Sequence, residues 1–508
     1  MRILTREQAR SLDTLAMNVH GISGETLMGN AGDKIATRVQ STLEGFHSPE
    51  IGIICGKGNN GGDGFAAGHL LHERGFNVTI YALMTKSDVI GDSLVYHDKC
   101  VGDDIPILYS IALPKILPKY DLMIDAILGI GFTGELKNEL LLWTAWLNED
   151  QITVSADIPT GVNANTGHVA TGAVRAGQTI TMEFEKLGMT LEPGKSHCGT
   201  IHEEDIGFPN IIDDLEGRKW SVIQDDDIQS ILHPLKKTTH KYVQGKVLVL
   251  AGSTGMTGAA YLTSMAALRS GAGLVITFAP ESLHPVYERK ITEGMTVPCG
   301  DDGKGYFTLS NYDTIMEKIA WCDTMVIGPG LGGNDDTALL VEKLVQHVNK
   351  PLVIDADGLR PFYGNEALFN SIKGNFIITP HLGEFSRLTG ESVENVRTDY
   401  PKAIESFMSD FNGVLLAKYS PSLVAWESKG CVNSTGNPGL ATAGSGDVLT
   451  GMVASFIAQG MSTADAAKIG MYIHGKAGDQ LVNAISQRGM IASDLLTQIG
   501  KVISDYES

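Results

Sequence analysis

Short apolar runs alternate with longer amphipathic stretches along this chain. Thr5 precedes a helix-spaced pattern that runs to about Asn18, and a second helical pattern covers about residues 25–43. The period then changes. Residues 51–55 read as an apolar strand, residues 56–64 as a glycine-rich loop, and residues 65–74 as a helix. Further strands are predicted at about 77–83, 121–126 and 152–156. Each of the last two runs into a polar loop, Gly129 to Glu135 and Asp157 to Gly161. Strand, glycine loop and helix in that order form a phosphate-binding turn of a parallel α/β sheet.

A polar stretch near residues 213–222 separates this half from a second one with the same alternation, so domains are expected over 1–215 and 222–508. Strands are predicted at 247–250, 274–278, 324–327, 351–354, 376–379 and 413–417, with an Ala-rich helix over 259–270 and another over 336–348. Their ends deliver Gly330, Asp355, Asp357, His381 and Lys418 to what should be one edge of a parallel sheet. Near the C-terminus, glycines 436, 439, 444 and 446 lead into an apolar helix predicted from Val448 to Gln459. Gly444-Ser445-Gly446 then stands at a helix N-terminus, which favours an anion, with Asp447 in the first turn. Asp447 either caps that helix or is a base aimed at a hydroxyl. In the same way Asp125 and Asp157 either bind loop amides or serve a site, and with Asn60 and Thr160 they offer oxygen donors suited to a hard cation.

Composition narrows the choice. The 508 residues exceed one ordinary core, and 43% hydrophobic with 19% charged residues describes a globular chain. A net charge of −20 argues against a nucleic-acid surface or an anionic membrane as partner. The charged N-terminus and the lack of an apolar run of transmembrane length give a cytoplasmic expectation. The six dispersed cysteines offer neither a zinc nor a disulfide framework. Both N-terminal glycine loops fit G-x-G-x-x-G, yet no acidic residue ends the strand after the first, which disfavours a redox NAD site there.

The stretch Asn59-Asn-Gly-Gly-Asp-Gly64, the loop from Gly129 to Glu135 and Asp157-Ile-Pro-Thr-Gly161 resemble the N-terminal domain of the bifunctional NAD(P)H-hydrate repair enzymes. Val326-Ile-Gly-Pro-Gly-Leu-Gly, Ile354-Asp-Ala-Asp-Gly, Thr379-Pro-His-Leu-Gly-Glu and Gly444-Ser-Gly-Asp-Val-Leu-Thr-Gly resemble their ribokinase-like dehydratase domain. The resemblance implies a Rossmann-like three-layer sandwich followed by a ribokinase-like α/β domain. It implies an epimerase that interconverts the R and S hydrates of NADH and NADPH, and a dehydratase that repairs the S hydrate with ADP, or with ATP, and Mg²⁺. Potassium would be held by Asn60, Asp125 and Thr160. Hydrate contacts in the first site fall on Asn59, Asn60, Gly61, Gly62 and Asp63, on Gly129, Ile130, Gly131, Phe132, Thr133, Gly134 and Glu135, and on Asp157, which is best placed for acid/base work. In the second site they fall on Ala259, Ala260, Gly330, His381 and Asp447, the base. The nucleotide falls on Gly446 and on Lys418, Tyr419, Ser420, Pro421 and Ser422, where Tyr419 replaces the glycine frequent in that family. A homo-oligomer is expected. The alternatives are a ribokinase-like vitamin or sugar kinase, and a non-catalytic N-terminal interaction module.

Overall fold

The computed structural model describes residues 1–149 and 151–507, which divide into two compact units, Arg2–Trp220 and, together with Met1, Ser221–Ser508. In the first unit a parallel sheet runs Ile107–Tyr109, Asn77–Ala82, Glu50–Cys55, Leu122–Ala126, Ile152–Ala156, Gln178–Met182, Thr200–Glu204. Side chains alternate across it. Ile51, Ile53 and Cys55 pack with residues of the helices Gly24–Thr42 and Asn59–Glu73, while Ile54, Tyr81 and Met123 pack with Trp143 and Trp146 of the helix Asn138–Leu147. This is a Rossmann-like three-layer sandwich. From its central strand Glu50–Cys55 the chain adds strands on one side and then crosses back to Leu122–Ala126. The loops after these two strands therefore flank the switch point, where open α/β sheets bind ligands.

The second unit repeats the logic on a larger sheet. Lys246–Leu250 is followed by Leu274–Pro280 and Met295–Cys299 on one side, then by Thr324–Ile327, Leu352–Ile354, Phe376–Ile378 and Val414–Ala417 on the other, all parallel. An antiparallel hairpin, Leu423–Trp426 and Lys429–Val432, extends it beyond the expected parallel set. Val247 and Val249 share a core with the helices Thr257–Arg269, Ser445–Ala458, Thr463–Val482 and Ala492–Ser504. The six cysteines are buried and unbonded, and among the described residues no helix is long and apolar enough to cross a membrane.

Two helix starts differ from expectation. The helix expected from Val448 to Gln459 begins at Ser445. More consequentially, the stretch from Asn59 to Gly64 is not a loop but the first turns of the helix Asn59–Glu73. None of its glycines has positive φ. They are small because the helix lies tight on the sheet: a Cβ on Gly61 would collide with the carbonyl oxygen of Gly56, and one on Gly64 would stand 2.7 Å from both Ala126 Cβ and Cys55 Sγ. Close packing outweighs the poor helix propensity of glycine here.

Gly61→Ala should destabilise the protein by at least about 1–3 kcal/mol, the usual cost of overpacking. Gly58→Ala meets nothing within 4 Å at a negative φ, so its effect should stay within about 1 kcal/mol. Melting temperatures of the two variants check the contrast.

Candidate functional sites

In the first unit a cavity of about 1090 Å³ opens at the switch point. Asn59, Asn60, Asp63, Gly129, Ile130, Gly131, Phe132, Thr133, Glu135 and Asp157 line it, whereas Gly61, Gly62 and Gly134 do not. Asp157 sits in the left-handed region at φ 62°, a strained setting for a non-glycine residue and one that recurs at functional sites. Its Oδ1 accepts from the ammonium of Lys186 and from Thr181 Oγ1 at 3.3 Å. Asp125 is fully buried. It accepts from Ser155 Oγ at 2.8 Å, Thr160 N at 2.8 Å and Thr160 Oγ1 at 2.6 Å. Burial pushes its carboxyl above the ordinary range, against the pull of these donors. Leu128 N donates to Thr160 Oγ1 at 3.0 Å, and Asn60 packs beside Gly129, the next residue in that turn. Asn60 Oδ1 and Nδ2 are buried without a hydrogen-bond partner among the described residues.

The second site centres on Asp355, which is 1% exposed. Its Oδ1 accepts from Lys418 Nζ at 2.7 Å and its Oδ2 from Thr450 Oγ1 at 2.7 Å. Lys418 also reaches the anion turn, since a Cβ at Gly446 would stand 3.2 Å from its Nζ. Gly444 takes the N-cap position at φ 88° and gives no side-chain cap. Among the described residues the Gly446 and Asp447 N–H groups find no acceptor, and the Asp447 carboxylate makes no hydrogen bond. Asp447 is therefore not a cap. Burial, then the charge of Asp355, raises its carboxyl to about 7, with Lys418 opposing.

The turn itself is held from behind by the helix Thr463–Val482. Asp479 accepts from Gly436 N at 2.8 Å and Asn437 Nδ2 at 2.9 Å, and Thr435 Oγ1 donates to Tyr472 O at 2.8 Å. His474 Nε2 lies 3.0 Å from Ser445 O. Burial lowers His474 to about 4, so a neutral ring with its proton on Nε2 donates there at neutral pH. Across the site, Gly252 N donates to Pro329 O at 2.7 Å and Ser253 Oγ to Gly330 O at 2.9 Å, joining the two loops of this sheet's switch point. Gly330 lies against Ala259, whose Cβ would be 2.8 Å from one on Gly330, while Ala260 is fully buried. His381 is an N-cap: its Nδ1 accepts from Gly383 N at 3.0 Å and Glu384 N at 3.2 Å, and its ring is otherwise exposed. Tyr419 packs on Tyr400 with ring centroids 4.6 Å apart, next to Ser420, Pro421 and Ser422.

Comparison with known proteins agrees with this division. Residues 247–501 match the family model described as NAD(P)H-hydrate dehydratase, and residues 24–188 match that of the YjeF-related protein N-terminus. A bifunctional NAD(P)H-hydrate repair enzyme of Moorella thermoacetica is 34% identical over 100% of this chain and 97% of its own. The chain belongs to the bifunctional NAD(P)H-hydrate repair enzymes. The Coxiella burnetii member is 33% identical over 98% of each chain. A ribokinase-like superfamily protein of Enterococcus faecalis, 21% identical and covering 57% of this chain and 96% of its own, shares the fold at a TM-score of 0.50.

Sequence reasoning in this family's terms reached Asp157 and Asp447 but not Lys186, Asp13 or Thr450. Lys186 stands on a two-residue strand and Asp13 on a helix flank, each without a motif around it. Thr450 is one turn below Gly446 on an apolar helix and carries no signal of its own. Lys418→Met should cost about 3–5 kcal/mol, because Asp355 stays buried without its cation. Adding Asp355→Leu should recover most of that loss in a thermal melt. A double variant less stable than Lys418→Met would contradict the pairing.

Proposed function

We propose that the first unit interconverts the R and S hydrates of NADH and NADPH, and that the second moves a phosphoryl group from ADP to the hydroxyl of the S hydrate and then eliminates phosphate, leaving NAD(P)H and AMP. The observation that carries the second step is that, among the described residues, the Asp447 carboxylate and the N–H groups of Gly446 and Asp447 have no hydrogen-bond partner, with the Lys418 ammonium beside the turn. A carboxyl near 7 can take the hydroxyl proton at neutral pH. The Gly446 and Asp447 N–H groups and Lys418 then meet the charge that develops on the transferring phosphoryl group. Asp355 fixes Lys418 for that task. Gly330 and Ala259 form the hydrate wall, with His381 at its rim, and Lys418 to Ser422 carry the nucleotide. Mg²⁺ belongs on the nucleotide phosphates, where it usually keeps several waters. Among the described residues no cluster of three His, Cys, Asp or Glu is arranged to hold it.

In the first unit, the cavity and its charged lining support a catalytic rather than an accessory role. Potassium at Asn60, Asp125 and Thr160 fits one feature well: the buried Asn60 amide oxygen lacks a partner. One carboxylate, one amide and one hydroxyl make a weakly charged set, suited to a monovalent ion. The ion would tie the Asn59 helix start to the Leu128 and Thr160 turns and so preform the pocket.

Incubation of full-length protein with racemic hydrate and ADP or ATP tests the reading by product analysis. Both epimers should be consumed and NAD(P)H formed with one nucleotide spent per turnover. Asp447→Asn should slow repair by about 10²–10⁴-fold while epimers still interconvert. Asp157→Ala should do the reverse. Loss of both activities in either variant contradicts two separate sites, and phosphorylation of a vitamin or sugar in place of the hydrate contradicts the repair assignment. Epimerisation should rise with K⁺ more than with Na⁺ at constant ionic strength, and Asp125→Ala should remove that difference.

A further inference from the structure

Among the charged side chains that line the first-unit cavity, three carboxyl groups and one ammonium act on one another. Asp13 comes from the helix Arg6–Asn18, Asp63 from the helix Asn59–Glu73, Asp157 from the turn after Ile152–Ala156, and Lys186 from the short strand Glu185–Lys186. Lys186 is 3% exposed, and its ammonium meets Asp157 Oδ1, Thr181 Oγ1 at 2.7 Å and Met182 O at 3.3 Å. Those three acceptors use all its protons. Asp157 is thus the carboxylate with a dedicated cation. Asp13 and Asp63 have neither a hydrogen bond nor an ion pair among the described residues, and Arg10 also lines the cavity one turn before Asp13. Burial and the repulsion among these carboxyls therefore raise the two unpaired ones, Asp13 and Asp63, above the ordinary carboxylate range.

Resting on the epimerase reading above, we propose that Asp13 is the acid of the first site and that Asp157, locked to Lys186, is its fixed anion. The hydrate carries a hydroxyl on a ring carbon bonded to the ring nitrogen, and breaking the carbon–oxygen bond and re-forming it on the other face inverts that carbon. Asp13 gives its proton to the hydroxyl. The bond's electron pair leaves with the oxygen as water, and the nitrogen lone pair closes a C=N bond. Water then adds to the opposite face and returns a proton to Asp13. Nothing is consumed. The ring is cationic between the two steps, and the Asp157 carboxylate stabilises it. An acid for this task needs a carboxyl that is protonated near neutral pH and free to reach substrate. Burial, then the charge of Asp157, raises Asp13 to about 6, with Lys186 opposing. The same three influences, with Asp13 added, raise Asp63 above the ordinary carboxylate range as well.

The test uses full-length protein, purified R hydrate of NADH, no nucleotide, and chromatographic measurement of the S form. In Asp13→Asn, kcat should fall by about 10²–10⁴-fold with KM nearly unchanged, and Asp13→Glu should restore part of the rate. The enzymatic rate of the wild type, corrected for the uncatalysed reaction, should fall as pH rises through about 6. The sign for stability is opposite to that of a paired carboxylate. A carboxyl whose folded-state value is raised costs stability that accumulates as pH rises from the ordinary carboxylate value and is complete above the raised one, about 6 here, so Asp13→Asn should melt higher than wild type at pH 7.5. Asp13→Asn turning over at the wild-type rate, or losing only KM, overturns the assignment to Asp13 alone. Wild type that leaves the R hydrate unchanged overturns the epimerase reading together with it.

Discussion

A carboxylate taken out of water must be met by donors, and Asp355 is met by two that lie far apart in the chain. Lys418 follows the strand Val414–Ala417, and Thr450 belongs to the helix Ser445–Ala458. Through these bonds the end of one strand, the end of another and the start of a helix are set against each other. The ammonium is left at the anion turn, and Asp447, without a hydrogen-bond partner among the described residues, stands in a field that raises its carboxyl to about 7. Removing Asp355 would release Lys418 from the turn and take away the like charge that raises Asp447. The geometry of the turn and the basicity of the carboxylate therefore have one origin.

The first unit solves a related problem with another distribution of charge. There Lys186 is committed to Asp157, and burial with the charge of Asp157 raises Asp13 and Asp63 above the ordinary carboxylate range. Both sites lie where strand order reverses, at loops that leave adjacent parallel strands in opposite directions. The fold supplies the crevice in each case. Which carboxyl is paired and which is left alone then decides whether the site holds an acid or a base.

Much of this was legible in the sequence. Apolar runs that end in Asp125, Asp157, Asp355 and Lys418 located the strand ends, and glycines before an apolar helix located Asp447. The remainder was hidden for physical reasons. The glycines from Gly61 to Gly64 look like a loop, because sequence does not show the carbonyl of Gly56 or the side chains of Ala126 and Cys55 that exclude a Cβ there. His381 after Pro380 carries the same letters whether it caps a helix or binds substrate, and its Nδ1 is in fact a cap. Asp13 flanks a buried helical stripe of Gln8, Leu12 and Ala16, and no motif surrounds it. Pairings such as Asp355 with Lys418 join residues 63 apart, and no local pattern records them.

The central claim is that the charge around Asp355 makes Asp447 a base poised near neutrality. The most direct measurement is the pH dependence of kcat/KM for nucleotide-dependent repair of purified S hydrate by the wild-type protein between about pH 5.5 and 8.5. A base must lose its proton to act, so the profile should rise through about 7 as Asp447 ionises. A profile that stays flat through that range, or one that falls through 7, would contradict the account.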